Sequence, residues 1–250
     1  MIMVGGALDD VRRRNLSAVL QIVHREGPIA RAVITARTGL NRSTVGGLVS
    51  DLVSRGIVRE EAPASTNRVG RPSHMVAADP GIAVLAVNPE VDAITTAVVG
   101  LGARVERRER HELGDAASPA EAARIIAEAV AANADRRIAG VGLAVPGLVS
   151  EADGVVRWAP HLGWTGAPVR ALVEDACGLP TAVGNDASLG ALAEHLFGAG
   201  RGVGGLFYLN GGASGIGGGI IVDGARLAGH GGFAGELGQS PAGAAQPLSP

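Results

Sequence analysis

The chain has 250 residues, 46% hydrophobic and 18% charged, with a formal net charge of −2. That composition supports a buried core and more than one domain, and excludes a disordered polyelectrolyte. No apolar run reaches the ~20 residues of a membrane span, the opening residues lack a signal-peptide pattern, and one cysteine, Cys177, excludes an internal disulfide framework. A reducing, cytoplasmic setting without a membrane partner is therefore expected.

Charge is distributed unevenly. Residues 1–79 hold eleven arginines against seven carboxylates, whereas 80–250 hold eleven arginines against seventeen. A basic segment ahead of an acidic domain points to a polyanion bound at one end only; ordinary variation in surface charge is the alternative.

Across residues 9–27, Leu16, Val19, Leu20 and Val23 recur at helical spacing, and Gly27-Pro28 stops the run. A second helix is predicted over 31–38. Its start, Ala30, offers no capping side chain, and Gly39 suits its left-handed end. Asn41 then caps a third helix, closed by Gly56, in which Val45, Leu48, Val49 and Leu52 repeat at the core spacing. Two short strands, at 57–58 and 74–77, flank a turn-rich stretch.

Helix, helix, short turn, helix and hairpin make a winged helix-turn-helix over 9–79. Its third helix would enter the major groove led by Asn41, Arg42, Ser43 and Thr44, side chains suited to phosphates and base edges. Gly46 and Gly47 weaken that helix by roughly 1 kcal/mol each but leave it bare enough to approach a DNA backbone. In the hairpin, Arg68 and Arg71 form a basic arm of minor-groove type. The plainer alternatives are a three-helix protein-interaction module and a solvated wing.

From residue 80 onward the pattern becomes α/β. Strands are predicted at 83–87, 93–99, 138–145, 181–183 and 206–209, and helices at 119–134, 169–177 and 186–197. Residues 210–239 hold a dense glycine run around the apolar patch at 219–222. This reads as strand, glycine turn, strand and a loop ending on Glu236, the wall of a small-molecule pocket.

Four motifs follow in order: Val145-Pro146-Gly147-Leu148-Val149, Ala159-Pro160-His161-Leu162-Gly163-Trp164, Gly184-Asn185-Asp186-Ala187, and the glycine run closing on Gly235-Glu236-Leu237-Gly238. Together they resemble the ROK family (repressors, open reading frames and sugar kinases). The resemblance implies an actin-like, ribonuclease H-like ATPase domain over 80–239. A winged helix in front is the arrangement of the family's regulators of xylose, glucose and N-acetylglucosamine genes.

In the family's kinases the residue matching Asp186 is the general base acting on a sugar hydroxyl, with the residue matching Asn185 beside it. A carboxylate that only binds the hydroxyl needs the same contact, and an Asp opening a helix also suits a simple N-cap. Glu236 matches a sugar-contacting Glu. His161 and Trp164 fall where the family's sugar lobe closes, although His161 also fits a surface loop.

Two departures bear on chemistry. The kinases place an Asp-x-Gly-Gly-Thr turn in the first hairpin, where this chain has Val87-Asn88-Pro89-Glu90-Val91-Asp92. Pro89 removes a backbone donor, and Glu90 adds negative charge where a triphosphate would sit. Gly215, Gly217 and Gly218 then belong to a vestigial phosphate loop, and no kinase activity is expected. The family's zinc-binding His is replaced by Gln239 with no cysteine after it, so no cofactor is expected. Residues 240–250 read as a low-complexity tail and the second lobe as incomplete, with truncation or frameshift after Gly238 expected and a naturally short regulator as the alternative.

The expected function is a sequence-specific DNA-binding transcriptional regulator, a repressor of carbohydrate-metabolism genes, controlled by a sugar or sugar phosphate. Its expected partners are double-stranded operator DNA, a sugar or sugar-phosphate effector, and a second copy in a homodimer or higher homo-oligomer. The alternatives are a ROK-type ATP-dependent sugar kinase with an accessory amino-terminal domain, and a fragment that binds DNA without a sugar response.

Overall fold

The computed structural model describes residues 5–62, 74–212, 215–229 and 234–235. The chain divides into two compact units. One comprises Met1–Ala83, Val99–Glu106 and Asp135–Arg137; the other comprises Val84–Val98, Arg107–Ala134 and Ile138–Pro250.

The first unit opens with α1 (Gly5–Glu26), β1 (Ile29–Ala30), α2 (Arg31–Thr38) and α3 (Arg42–Ser54), then β2 (Val58–Glu61) and β3 (Met75–Ala78). The two central helices begin and end where their local chemistry dictates. Ala30 gives no side-chain cap, but the Arg31 N–H donates to the His74 carbonyl at 3.1 Å, so backbone supplies what the side chain lacks. Gly39 at φ +67° ends α2 with its N–H donating to Thr35 O. Asn41 Oδ1 accepts from Thr44 N at 2.8 Å and starts α3.

Val19, Val23, Ile34, Val45, Leu48, Val49 and Leu52 bury one stripe of each helix in a common core with Val58 and Val76. The strands run β1-β3-β2, with Val58 opposite Ala78 and Glu61 opposite Met75. This is the element order of a winged helix-turn-helix. The first helix starts earlier than residue 9, and β1 is a strand that two residues between Pro28 and a helix did not signal.

The second unit is built around a five-stranded sheet ordered β11-β7-β4-β5-β6. Its strands are β4 (Ile82–Pro89), β5 (Ala93–Gly100), β6 (Arg104–Glu112), β7 (Arg137–Val145) and β11 (Thr181–Asn185). Counted in chain order the sheet reads 5-4-1-2-3, and β11 lies parallel to β7 with Asn185 opposite Val145. Leu85, Ile94 and Leu143 are fully buried on these strands.

Helix α4 (Pro119–Ala132) is capped by Ser118, whose Oγ accepts from Glu121 N, and it packs against α5 (Val169–Cys177). A small sheet ordered β10-β9-β8 comprises β8 (Leu148–Ser150), β9 (Val155–Ala159) and β10 (Trp164–Ala167). Strand β6 escapes prediction because Arg104–Glu112 is almost wholly charged. It occupies the sheet edge, where charge keeps an unpaired rim from pairing with another chain.

Helix α6 (Asp186–Phe197) carries the last sheet, β12 (Leu206–Gly212), β13 (Gly215–Val222) and β14 (Ala225–Arg226). The glycines of β13 have a packing reason. A Cβ on Gly219 would stand 2.5 Å from Ala191 Cβ and 2.7 Å from Ala187 O, and one on Gly217 would stand 2.9 Å from Ala187 Cβ. Bare backbone on β13 therefore meets a small-residue face of α6. Gly219→Ala is expected to destabilise the chain by about 1–3 kcal/mol through overpacking, read as a lower urea midpoint. An unchanged midpoint would show that this contact yields freely.

Candidate functional site

The β11–α6 junction sets the geometry of the site. Asn185 is buried, 6% exposed, at the carboxyl end of β11. Its Oδ1 accepts from Ser188 N at 2.8 Å and so caps α6, while its Nδ2 donates to Gly147 O at 3.2 Å in the turn after β7. Thus Asn185, not Asp186, is the N-cap, and Asp186 is free of that duty as the first helical residue.

The Asp186 carboxylate is half-buried. Oδ1 accepts from Asn185 Nδ2 at 3.2 Å, and Oδ2 accepts from Asn210 Nδ2 at 3.4 Å. Burial pushes its pKa above the ordinary carboxylate value, against the lowering effect of hydrogen bonds from the Ala187 and Asp186 backbone and from Asn210. It lines a cavity of about 400 Å³ together with Asn88, Glu90, Asp92, Arg110, Pro146 and Asn210. That volume suits a monosaccharide-sized ligand, and the lining is rich in groups that pair with hydroxyls.

The β4–β5 turn therefore does converge on Asp186. Glu90 Oε1 accepts from the buried Thr95 hydroxyl at 2.6 Å. Arg110, on β6, donates from Nη2 to Asp92 Oδ1 at 2.8 Å and to Glu90 Oε2 at 3.3 Å, and from Nη1 to Glu112. These partners raise the Arg110 pKa and hold it protonated. Sequence reasoning missed Arg110 and Asn210. The first sits in the charged run that concealed β6; the second is a lone amide at the edge of the glycine run.

Other expected residues fall elsewhere. His161 is exposed in a short 3-10 turn (Pro160–Leu162) and does not line the Asp186 cavity. Trp164 is 2% exposed and donates from Nε1 to Ala117 O at 2.8 Å, which makes it a core residue. Gly215, Gly217 and Gly218 form no loop. They belong to β13, paired with Gly212, Asn210 and Leu209 of β12, because the ladder claims their backbone. Glu236 and Gln239 lie outside the described residues.

On α3, Asn41, Arg42 and Ser43 are exposed and Thr44 is half-buried. Asn41 Oδ1 also accepts from Ser43 Oγ at 2.8 Å, so those two side chains form the cap and Arg42 is the long side chain left at the helix start. At Gly46 and Gly47 the helix surface is bare. A Cβ on Gly47 would meet nothing within 4 Å, and one on Gly46 only Arg31 Nη1 at 4.0 Å. No internal contact demands either glycine. Arg68 and Arg71 lie outside the described residues.

Residues 84–248 match the model of the ROK family. The chain belongs to the ROK family. A xylose repressor of Caldicellulosiruptor bescii is 30% identical over 237 residues, covering 92% of this chain and 59% of the repressor. A solved ROK family transcriptional regulator, homologous to the E. coli MLC protein, matches with TM-score 0.75 at 25% identity, covering 91% of this chain and 59% of that one. A ROK family glucokinase from Streptomyces griseus, solved with glucose and AMPPNP, matches with TM-score 0.56 at 31% identity, covering 62% of this chain and 49% of that one. The chain thus spans 58–60% of the length of the xylose repressors it matches.

Two outcomes follow from this geometry. Gly47→Ala is expected to raise stability by about 1 kcal/mol, because Ala is the better helix former and the space is open; a lower melting temperature would contradict that. Asp186 holds its proton more tightly folded than unfolded, so its contribution to stability is full below the ordinary value of 3.8 and is lost as pH rises through the folded value. The stability of wild type relative to Asp186→Asn should fall as pH rises from below 3.8 to neutrality. A difference that grows with pH would show that the hydrogen bonds outweigh burial.

Proposed function

We propose that this ROK chain is a sequence-specific DNA-binding transcriptional regulator of carbohydrate genes, controlled by a sugar held at Asp186. The observation that carries the reading is extent of similarity. The transcriptional regulator and the xylose repressor match 91% and 92% of the chain, too much to leave out the amino-terminal unit, whereas the glucokinase covers 62%. A winged helix ahead of a sugar-sized cavity gives the two sites that such a regulator needs.

At the DNA, the start of α3 presents Arg42 to phosphate or base edges, and Gly46 and Gly47 let the helix lie close to the backbone. Arg68 and Arg71 are proposed as the minor-groove arm of the wing. At the effector, Asp186 and Asn210 receive sugar hydroxyls, joined by Glu236, while Asn185, its amide committed to Ser188 N and Gly147 O, positions Asp186. The sugar acts by binding two conformations unequally, which changes operator affinity by the same coupling factor. Acting as a repressor dimer, the protein would bind half-sites about one DNA turn apart, and a small change in spacing loosens the grip.

The kinase alternative has less support. The β4–β5 turn offers Pro89, Glu90 and Asp92 where the family's kinases hold a glycine-rich phosphate turn. Phosphoryl transfer depends almost wholly on positioning and neutralising phosphates, and two carboxylates oppose both. The family's zinc also finds a poor ligand, since Gln239 stands where a His is needed. We therefore propose a sensor without metal and without ATP turnover.

Paired substitutions separate the two sites. Arg42→Ala should weaken operator binding across sequences and make its salt dependence shallower by about one unit of slope. Asp186→Ala should leave operator affinity unchanged and abolish its response to sugar. Measured by fluorescence anisotropy, sugar release that survives Asp186→Ala would reject the site; sugar-dependent ATP hydrolysis by wild type would favour the kinase.

A further inference from the structure

The charge balance of the Asp186 cavity specifies its ligand further, given the effector-site reading above. Three carboxylates, Asp186, Glu90 and Asp92, line it, and among the described lining residues Arg110 is the one cation. Arg110 is already engaged by Asp92 at 2.8 Å, by Glu90 at 3.3 Å and by Glu112. Glu90 is itself fixed, because its second oxygen accepts a hydrogen bond from the buried Thr95 hydroxyl. An unengaged guanidinium would offer a phosphate a bidentate fork; this one has its fork turned to carboxylates.

We propose that Glu90 and Asp92 are specificity determinants of this site: by occupying Arg110 they reserve the cavity for an uncharged sugar and exclude sugar phosphates. A neutral polyol donates hydroxyl protons to Asp186 and the acidic turn. A phosphate ester brings about two negative charges to a lining that carries a surplus of them, and like charges brought together in a partly desolvated site repel strongly.

The test uses the full chain and two probe pairs, glucose with glucose 6-phosphate and xylose with xylose 5-phosphate. Binding is followed by calorimetry, for wild type and for a Glu90→Gln/Asp92→Asn double variant. Wild type should bind a neutral sugar at least about tenfold tighter than its phosphate, and the double variant should narrow that ratio by about tenfold. The discrimination should also shrink at high salt, because the Asp92 side chain is 57% exposed and screened. If the double variant fails to fold by circular dichroism, Asp92→Asn alone carries the test. A tighter phosphate ester that Asp186→Ala abolishes, or a ratio indifferent to the substitutions, overturns the proposal and leaves the effector site standing. Wild type that binds neither member of either pair, while still binding operator, overturns both.

Discussion

One buried amide organises the candidate site of this protein. Asn185 spends its oxygen on Ser188 N and its nitrogen on Gly147 O, so a single side chain caps α6 and ties it to the turn after β7. Because the N-cap task falls to Asn185, the next residue begins the helix with its carboxylate available. Asp186 then lines a cavity while keeping backbone hydrogen bonds from its own turn. Loss of either Asn185 bond leaves a buried polar group unpaired, which costs about 1–3 kcal/mol and unsettles the one carboxylate that the site depends on.

The same economy runs through the glycines. On β13 they are demanded by contact, since Ala187 and Ala191 of α6 leave no room for a Cβ. On α3 they are demanded by nothing inside the protein, and the helix bears their conformational cost without a packing return. Identical residues thus carry opposite information. Glycines pressed against a neighbour explain a fold, whereas glycines facing empty space point to something that approaches from outside.

Much of this was legible from residue order. Apolar spacing and the caps at Gly39, Asn41 and Ser118 placed α2, α3 and α4 within two residues of their observed ends. The junction Gly184-Asn185-Asp186-Ala187 marked the site. What escaped was non-local. Strand β6 reads as a charged surface segment until the sheet shows it to be an edge, and only then does Arg110 come to stand beside Glu90 and Asp92. Trp164 carried a functional expectation from its motif, yet its indole N–H is consumed by Ala117 O in the core. Proximity across a sheet is a property of topology, and a single sequence records it weakly.

The central claim is that sugar bound at Asp186 controls DNA bound at α3. Selection of genomic fragments on the full chain, followed by titration of the best fragment against a sugar panel, tests it most directly. The account predicts enriched fragments with two half-sites spaced by about one DNA turn, and an uncharged sugar that changes their affinity. Fragments retained without any shared sequence, or an affinity indifferent to every sugar, would contradict it.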